Sequence, residues 1–168
     1  MRRAVAEDAA ALSLIAGATL LDTFAGVLTG RDLVAHCARH NTPEKFAAWI
    51  ADPASVVTLA EAANGGAPLG YTVLTTPDLP VETADDDIEL RRIYTLSRLH
   101  GSGLGPNLMA RALDDARAMG KRRVLLGVYG GNARAQAFYE RQGFTIAGER
   151  RFLVGETWHD DLIYARAV

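Results

Sequence analysis

NARAQAFYERQGF, residues Asn132 to Phe144, reads as a short capped helix running into a strand. Asparagine at such a start accepts the orphan N–H groups of the first turn, and Gly143 supplies the positive φ at which a helix stops. Between them Ala135, Phe138 and Tyr139 form an apolar face at helical spacing. Asn132 and Tyr139 stand seven positions apart, about two helical turns, so both rise from one side. Structurally they are a cap and a core aromatic; together on one side they can also face a ligand.

Working upstream, "RRVLLGVY" is a buried-looking strand, preceded by "PNLMARALDDARAMG", an amphipathic helix started by Pro106 and ended by Gly120. Before that helix lies "HGSGLG", His100 to Gly105, fed by "IELRRIYTL", which alternates as a strand. A strand, a glycine-rich turn and a helix start gather unpaired N–H groups and the positive end of a helix dipole at one point, which suits phosphate. Two phosphate motifs fail on spacing. A Walker A loop needs Lys and Ser or Thr where Pro106 and Asn107 stand, and G-x-G-x-x-G meets Pro106 in place of its third glycine.

The first part of the chain is helix-rich. "RRAV" is a short strand, Asp8 can cap a helix through "AAALSLIAGATLLDTFAG", "RDLVAHCARH" is helical, and "TPEKFAAWI" has Thr42 as N-cap with Pro43 at the first helical position. "SVVTLAEA" and "APLGYTVLTT" form an antiparallel pair across "ANGG", where Asn-Gly supplies the positive φ of a tight hairpin. A polar loop with Asp85, Asp86 and Asp87 leads to the strand before the glycine turn, and "FTIAGERRFLV" with "TWHDDLIYARAV" closes the chain as a hairpin. The expected class is mixed α/β, as one domain over residues 1–168.

Composition narrows the partners. With 49% hydrophobic and 23% charged residues and a formal charge of −2, the chain has the balance of a soluble globular domain. It lacks the basic excess of a nucleic-acid or anionic-membrane binder. Apolar stretches are broken by charges before bilayer-spanning length, and the single cysteine, Cys37, excludes an intrachain disulfide and fits a reducing cytoplasm. His36 and His40 share a helical face, but the zincin pattern needs Glu where Cys37 stands, so no metal site is expected.

With both segments in view, the chain resembles the GCN5-related N-acetyltransferase (GNAT) superfamily. That family's signature R/Q-x-x-G-x-G/A precedes N-x-x-A-x-x-F-Y-x-x-x-G-F, and the second motif is matched at Asn132, Ala135, Phe138, Tyr139, Gly143 and Phe144. "ELRRIY", the His-Gly turn and "DLIYARAV" look more particularly like the spermidine/spermine acetyltransferase-like branch. The resemblance implies a twisted, mostly antiparallel sheet of six or seven strands with about four helices, splayed at the cofactor strand. It also implies an acyltransferase that moves acetyl from acetyl-CoA to a primary amine by direct attack in a ternary complex.

Site roles follow from the same resemblance. The pantetheine arm of acetyl-CoA would run along Ile93, Tyr94, Thr95 and Leu96, with a backbone N–H near Thr95 or Leu96 as oxyanion donor. The pyrophosphate would lie on the turn of His100, Gly101, Ser102, Gly103, Leu104, Gly105 and Pro106. Asn132 would meet the pantetheine amide, and Tyr139, with an ordinary phenol pKa of about 10, would protonate the departing thiolate. Glu89 is the candidate base; as a plain surface residue it would instead pair with Arg91 or Arg92. The family's first motif position is Arg or Gln, so His100 is expected either to give a weaker, pH-sensitive phosphate contact or to be an exposed turn residue.

The acceptor would be met by Asp22, Thr23 and Phe24, by Asp85 to Asp87, and by Trp158, His159, Asp160 and Asp161. Clustered carboxylates would attract a polyamine. A protein N-terminus, an amino acid, an antibiotic amine and a non-catalytic acyl-CoA-binding module stay open beside it. Relatives commonly form homodimers.

Overall fold

Strand β4, Asp87–Thr95, is the axis of the fold. The structure, a computed structural model, describes residues 1–154 and 157–168, excepting the side chains of 152–154, 157 and 159. Around β4 run β1 (Arg2–Arg3), α1 (Ala9–Phe24), α2 (Gly30–His40), α3 (Pro43–Ala51), β2 (Val56–Glu61), β3 (Pro68–Thr75), α4 (Leu104–Ala118), β5 (Arg123–Tyr129), α5 (Ala133–Arg141), β6 (Thr145–Val154) and β7 (Thr157–Ala167). The strands form one seven-stranded sheet in the order β1-β2-β3-β4-β5-β7-β6. Every pairing is antiparallel except β4 with β5, so the expected mixed, mostly antiparallel class is observed, with five α-helices.

The two faces carry separate cores. Met109, Ala112 and Leu113 of α4 pack with Leu74, Leu90, Val124, Leu126, Tyr139 and Phe144 on one face. Leu12 and Ile15 of α1 and Phe46 and Trp49 of α3 pack with Leu59, Tyr71 and Val73 on the other. No helix among the described residues is long and apolar enough to cross a membrane.

Two irregularities of β4 shape the surfaces on either side of it. Its parallel pairing with β5 covers only Asp87–Glu89 against Arg123–Leu125, after which the two strands diverge. Asp87, buried at the closed end, accepts from Arg123 Nε at 2.8 Å and Nη2 at 2.5 Å, which pins the strands together there. On the other edge the register against β3 steps from Leu74↔Leu90 to Val73↔Arg92, leaving Arg91 as a one-residue bulge. Leu90 and Ile93, three apart, therefore share the α4 face. Glu89, Arg92 and Tyr94 fall on the opposite face, where strict alternation would have put Glu89 with Arg91.

Local expectations are refined in four places. Asp8 does not cap α1: its carboxylate accepts from Val5 N at 2.8 Å and pairs with Arg2 at 2.6 Å, because a 3₁₀ turn at Ala6–Asp8 precedes the helix. The β2–β3 turn is not a tight Asn-Gly pair; Ala62 N bonds to Ala67 O, and positive φ falls on Gly65 and Gly66 while Asn64 stays negative. Helix α4 begins at Leu104 instead of Pro106, since left-handed Gly103 (φ 88°) already starts the turn. Strand β4 ends at Thr95, and Leu96 donates its N–H to Leu69 O at 3.0 Å.

Candidate active site

The divergence of β4 from β5 opens a cleft of about 290 Å³. Ile93, Tyr94 and Thr95 line it from β4, His100, Gly101, Gly105 and Pro106 from the glycine turn, and Asn132 and Tyr139 from the capped helix. The two motifs read from the sequence thus meet across one cleft. Leu96, Ser102, Gly103 and Leu104 do not line it: Leu96 packs with the α1–α3 core, its amide is taken, and the Ser102 hydroxyl donates back to Leu99 O at 2.6 Å. The oxyanion donor expected near Thr95 or Leu96 is therefore not Leu96.

The turn has the donors an anion needs. Gly101 and Gly103 hold φ of 84° and 88°, which places their amides in a conformation side chains resist. The N–H groups of Gly101, Gly103 and Gly105 make no hydrogen bond among the described residues, and they sit at the positive end of α4. Beyond Glu89 the β5-facing edge of β4 is likewise unpaired. A pyrophosphate on the turn and an amide-bearing arm along the strand fit these free groups.

Individual side chains take definite parts. Asn132 Oδ1 accepts from Ala135 N at 3.1 Å, so it caps α5 while its Nδ2 remains for the cleft. Tyr139 is buried, and burial together with nearby Tyr94 pushes its phenol well above the ordinary value, which keeps the proton on oxygen. His100 is exposed, and its Nδ1 lies 2.6 Å from Arg134 Nη1. Burial first, then Arg134, hold the imidazole below its usual pKa, with Asp22 opposing. Arg134 was missed in reading the sequence, although it stands two positions after Asn132 inside the motif; it brings the guanidinium that the motif's first position lacks.

A second cleft of about 400 Å³ adjoins the first on the α1–α3 side. Phe24, Arg91, Tyr94, Gly127 and Tyr129 line both, and the Phe24 and Tyr129 rings stand 6.2 Å apart at the junction. Glu89 lies in its wall, buried, and its Oε2 accepts from Asp78 N at 2.9 Å and from Arg91 Nη2 at 2.6 Å. Glu89 thus pairs with Arg91 yet is no surface residue, and its Oε1 has no hydrogen bond among the described residues.

Of the residues expected to meet an acceptor, Phe24 and Asp161 line this second cleft and Thr23 lines the first. Asp22 accepts from Ser97 N at 3.1 Å, tying the end of α1 to the turn after β4. Asp86 and Asp87 face Arg122 and Arg123, and the Asp85 carbonyl accepts from Lys121, outside both clefts. Trp158 and Asp160 flank Arg151, also away from the clefts, and the side chain of His159 lies outside the described residues. Cys37 takes a hydrogen bond from Asn41 at 3.8 Å and lines neither cleft, and the described residues form no metal-holding cluster of three or more His, Cys, Asp or Glu.

The model of the acetyltransferase (GNAT) family matches residues 26–144. The chain belongs to that family. An uncharacterised N-acetyltransferase of Mycobacterium bovis is 36% identical over 122 residues, covering 73% of each chain. Another from Lactobacillus delbrueckii subsp. lactis is 28% identical over 151 residues, covering 89% of this chain and 86% of its own. Among solved structures, PaiA N-acetyltransferase from Thermoplasma acidophilum in complex with coenzyme A superposes with a TM-score of 0.81 at 19% identity, covering 99% of this chain and 97% of that one. This GNAT chain is an acetyl-CoA-dependent N-acetyltransferase, and acetyl-CoA is its co-substrate.

Proposed function

We propose that the protein transfers the acetyl group to a primary amine by direct attack while both substrates are bound, the acetyl-CoA in the first cleft and the amine in the second. The observation that carries this reading is the shared wall of Phe24, Arg91, Tyr94, Gly127 and Tyr129, which lets a nucleophile in one cleft reach a carbonyl in the other. Acetyl-CoA supplies an acyl carbon activated as a thioester. The free amides of Gly101 and Gly105, with Arg134 oriented by His100, hold the pyrophosphate. Asn132 Nδ2 and the open edge of β4 position the arm, and Tyr139 keeps a proton on its hydroxyl for the departing sulfur.

The amine must lose a proton, and Glu89 takes it through water with its unengaged Oε1. The Cys37 position offers no route to an acyl-cysteine, which favours single displacement. A polyamine acceptor has Asp161, Glu89 and Asp78 in its favour within the cleft, while Asp85 to Asp87 lie elsewhere.

Thiol release from acetyl-CoA, followed with a panel holding amino acids, amino-acid amides, simple alkylamines, spermidine and a peptide N-terminus, tests the reading. Turnover with at least one amine class supports transfer. Tight acetyl-CoA binding with no thiol release from any of them would make the protein an acyl-CoA-binding module.

A further inference from the structure

The α2–α3 side of the acceptor cleft carries positive charge that the described residues leave without a counter-ion. Lys45, Arg91, Arg92 and Arg150 line the cleft against Asp78, Glu89 and Asp161. All three carboxylates are already engaged: Arg91 lies 2.6 Å from Glu89 and 3.9 Å from Asp78, and Arg150 lies 3.1 Å from Asp161. Arg92 forms neither a hydrogen bond of normal geometry nor an ion pair among the described residues, although it is half-buried. The bulge at Arg91 is what turns Arg92 onto this face.

Helices α2 and α3 bring two histidines and a lysine to the same cleft. His36 and His40 stack on one another with ring centroids 4.7 Å apart and line the same cleft. Burial and the Arg92 guanidinium hold His36 down to about 4 and keep His40 below its ordinary value, so both rings are neutral at pH 7. The His36 Nε2 is shielded from solvent and has no hydrogen-bond partner among the described residues, and the Arg92 guanidinium lies close to the hydroxyl of fully buried Tyr71. The Lys45 ammonium stands 5.1 Å from the Trp49 ring on this side. A half-buried guanidinium without a counter-ion is costly, and an entering anion with bidentate geometry relieves that cost.

Resting on the acetyl-transfer reading above, we propose that the acceptor is an amine that also bears a carboxylate, an amino acid with an apolar side chain. Its carboxylate sits on Arg92 with His36 Nε2 beside it, and its amine points to the junction of the clefts next to Glu89. Leu20, Phe24, Leu28 and Trp49 supply the apolar wall for the side chain. A volume of about 400 Å³ is in the range of a small-molecule site. A polycation would set a second positive charge against Arg92, which disfavours spermidine here.

The test compares L-phenylalanine, L-leucine and L-methionine with their α-amides and decarboxylated amines, using wild type, Arg92→Gln and Arg92→Lys. The free acids should show kcat/KM at least tenfold above their amides, through KM. Arg92→Gln should remove that advantage, Arg92→Lys should restore part of it, and acetyl-CoA affinity should stay constant in both. Calorimetry of N-acetyl-L-phenylalanine against its amide, on the CoA-loaded protein, reads the same subsite without turnover. Amides used as well as acids, or no carboxylate preference in calorimetry, overturns the subsite and leaves acetyl transfer standing. A carboxylate preference that Arg92→Gln abolishes, beside absent thiol release, keeps the subsite and overturns acetyl transfer.

Discussion

Nη1 of Arg134 lies 2.6 Å from Nδ1 of His100 at the mouth of the cofactor cleft. A guanidinium has no acceptor, so the imidazole accepts, and its single proton sits on Nε2. In the proposed reading His100 is therefore a neutral post that orients Arg134, and Arg134 would carry the charge toward the pyrophosphate. Arg134→Gln should weaken acetyl-CoA binding by about tenfold, roughly 1.4 kcal/mol, and reduce its salt dependence. His100→Ala should cost less, and the double variant should cost less than the sum, since both act on one contact. Calorimetry of the four proteins at two ionic strengths checks this. Additive losses would show that the two side chains act separately.

That pair shows which parts of the site were legible in the sequence. Asn132 and Tyr139 were readable because one helix of known pitch carries both, and the glycine turn because positive φ has few alternatives to glycine. Arg134 was hidden in plain letters: local spacing says nothing about which distant turn a side chain will meet, and its partner is 34 positions away. The bulge at Arg91 had a faint signal, two adjacent arginines between Leu90 and Ile93, apolar residues three apart where a strand alternates by two. Without it the facing of Glu89 and Arg92 could not be assigned. His36 and His40 read as ordinary helix histidines because their neighbour, Arg92, belongs to another element.

Tyr139 and Glu89 should separate kinetically. Tyr139→Phe removes the proton proposed to serve the departing sulfur while keeping the ring that packs on Phe138, Phe144 and Tyr164. The kcat should fall by about 10²-fold with acetyl-CoA affinity and melting temperature little changed. Because burial raises the phenol above its ordinary pKa, Tyr139 stays protonated through pH 9, so wild type should show no alkaline loss from this group below that pH. Glu89→Gln should instead lower kcat/KM for the amine and change its pH–rate profile. An unchanged pH–rate profile in Glu89→Gln would remove the base role, and an undiminished kcat in Tyr139→Phe would remove the acid role.

Stability should fall on mild acidification because of the acceptor cleft. His36 titrates at about 4 in the folded chain against 6.5 when unfolded, so between those values the unfolded chain binds a proton that the folded chain does not. Stability contributed by keeping His36 neutral is complete above pH 6.5 and is lost as pH falls toward 4. His40 shifts in the same direction; Arg92 and Lys45 add repulsion on this side, while Asp78, Glu89 and Asp161, paired with Arg91 and Arg150, oppose it in part. Below about 4 the lowered carboxyls of Asp8 and Asp87 take over, being lost through protonation. Thermal melts from pH 8 to 4 should show the decline beginning near 6.5, and His36→Gln should flatten the stretch between 6.5 and 4. A wild-type curve level to pH 4.5 contradicts this.

Gly70 of β3 decides how closely β4 can approach its partner strand. A Cβ at Gly70 would come within 2.6 Å of the Tyr94 carbonyl oxygen, 2.9 Å of Thr95 Cγ2 and 3.2 Å of Leu108 Cδ1. The first of these is backbone and cannot swing aside, so alanine must push β4 away where Tyr94 and Thr95 line the cofactor cleft. Overpacking of this kind costs about 1–3 kcal/mol, which for a domain of this size is a melting-point drop of roughly 2–12 °C. Acetyl-CoA affinity should fall with it if the displaced backbone is, as proposed, the edge that takes the pantetheine arm. Gly30→Ala at the start of α2 serves as the control: nothing lies within 4 Å of its added Cβ and its φ is not positive, so melting point and affinity should hold. If Gly70→Ala lowers the melting point and leaves acetyl-CoA affinity untouched, the Tyr94–Thr95 edge does not position the cofactor.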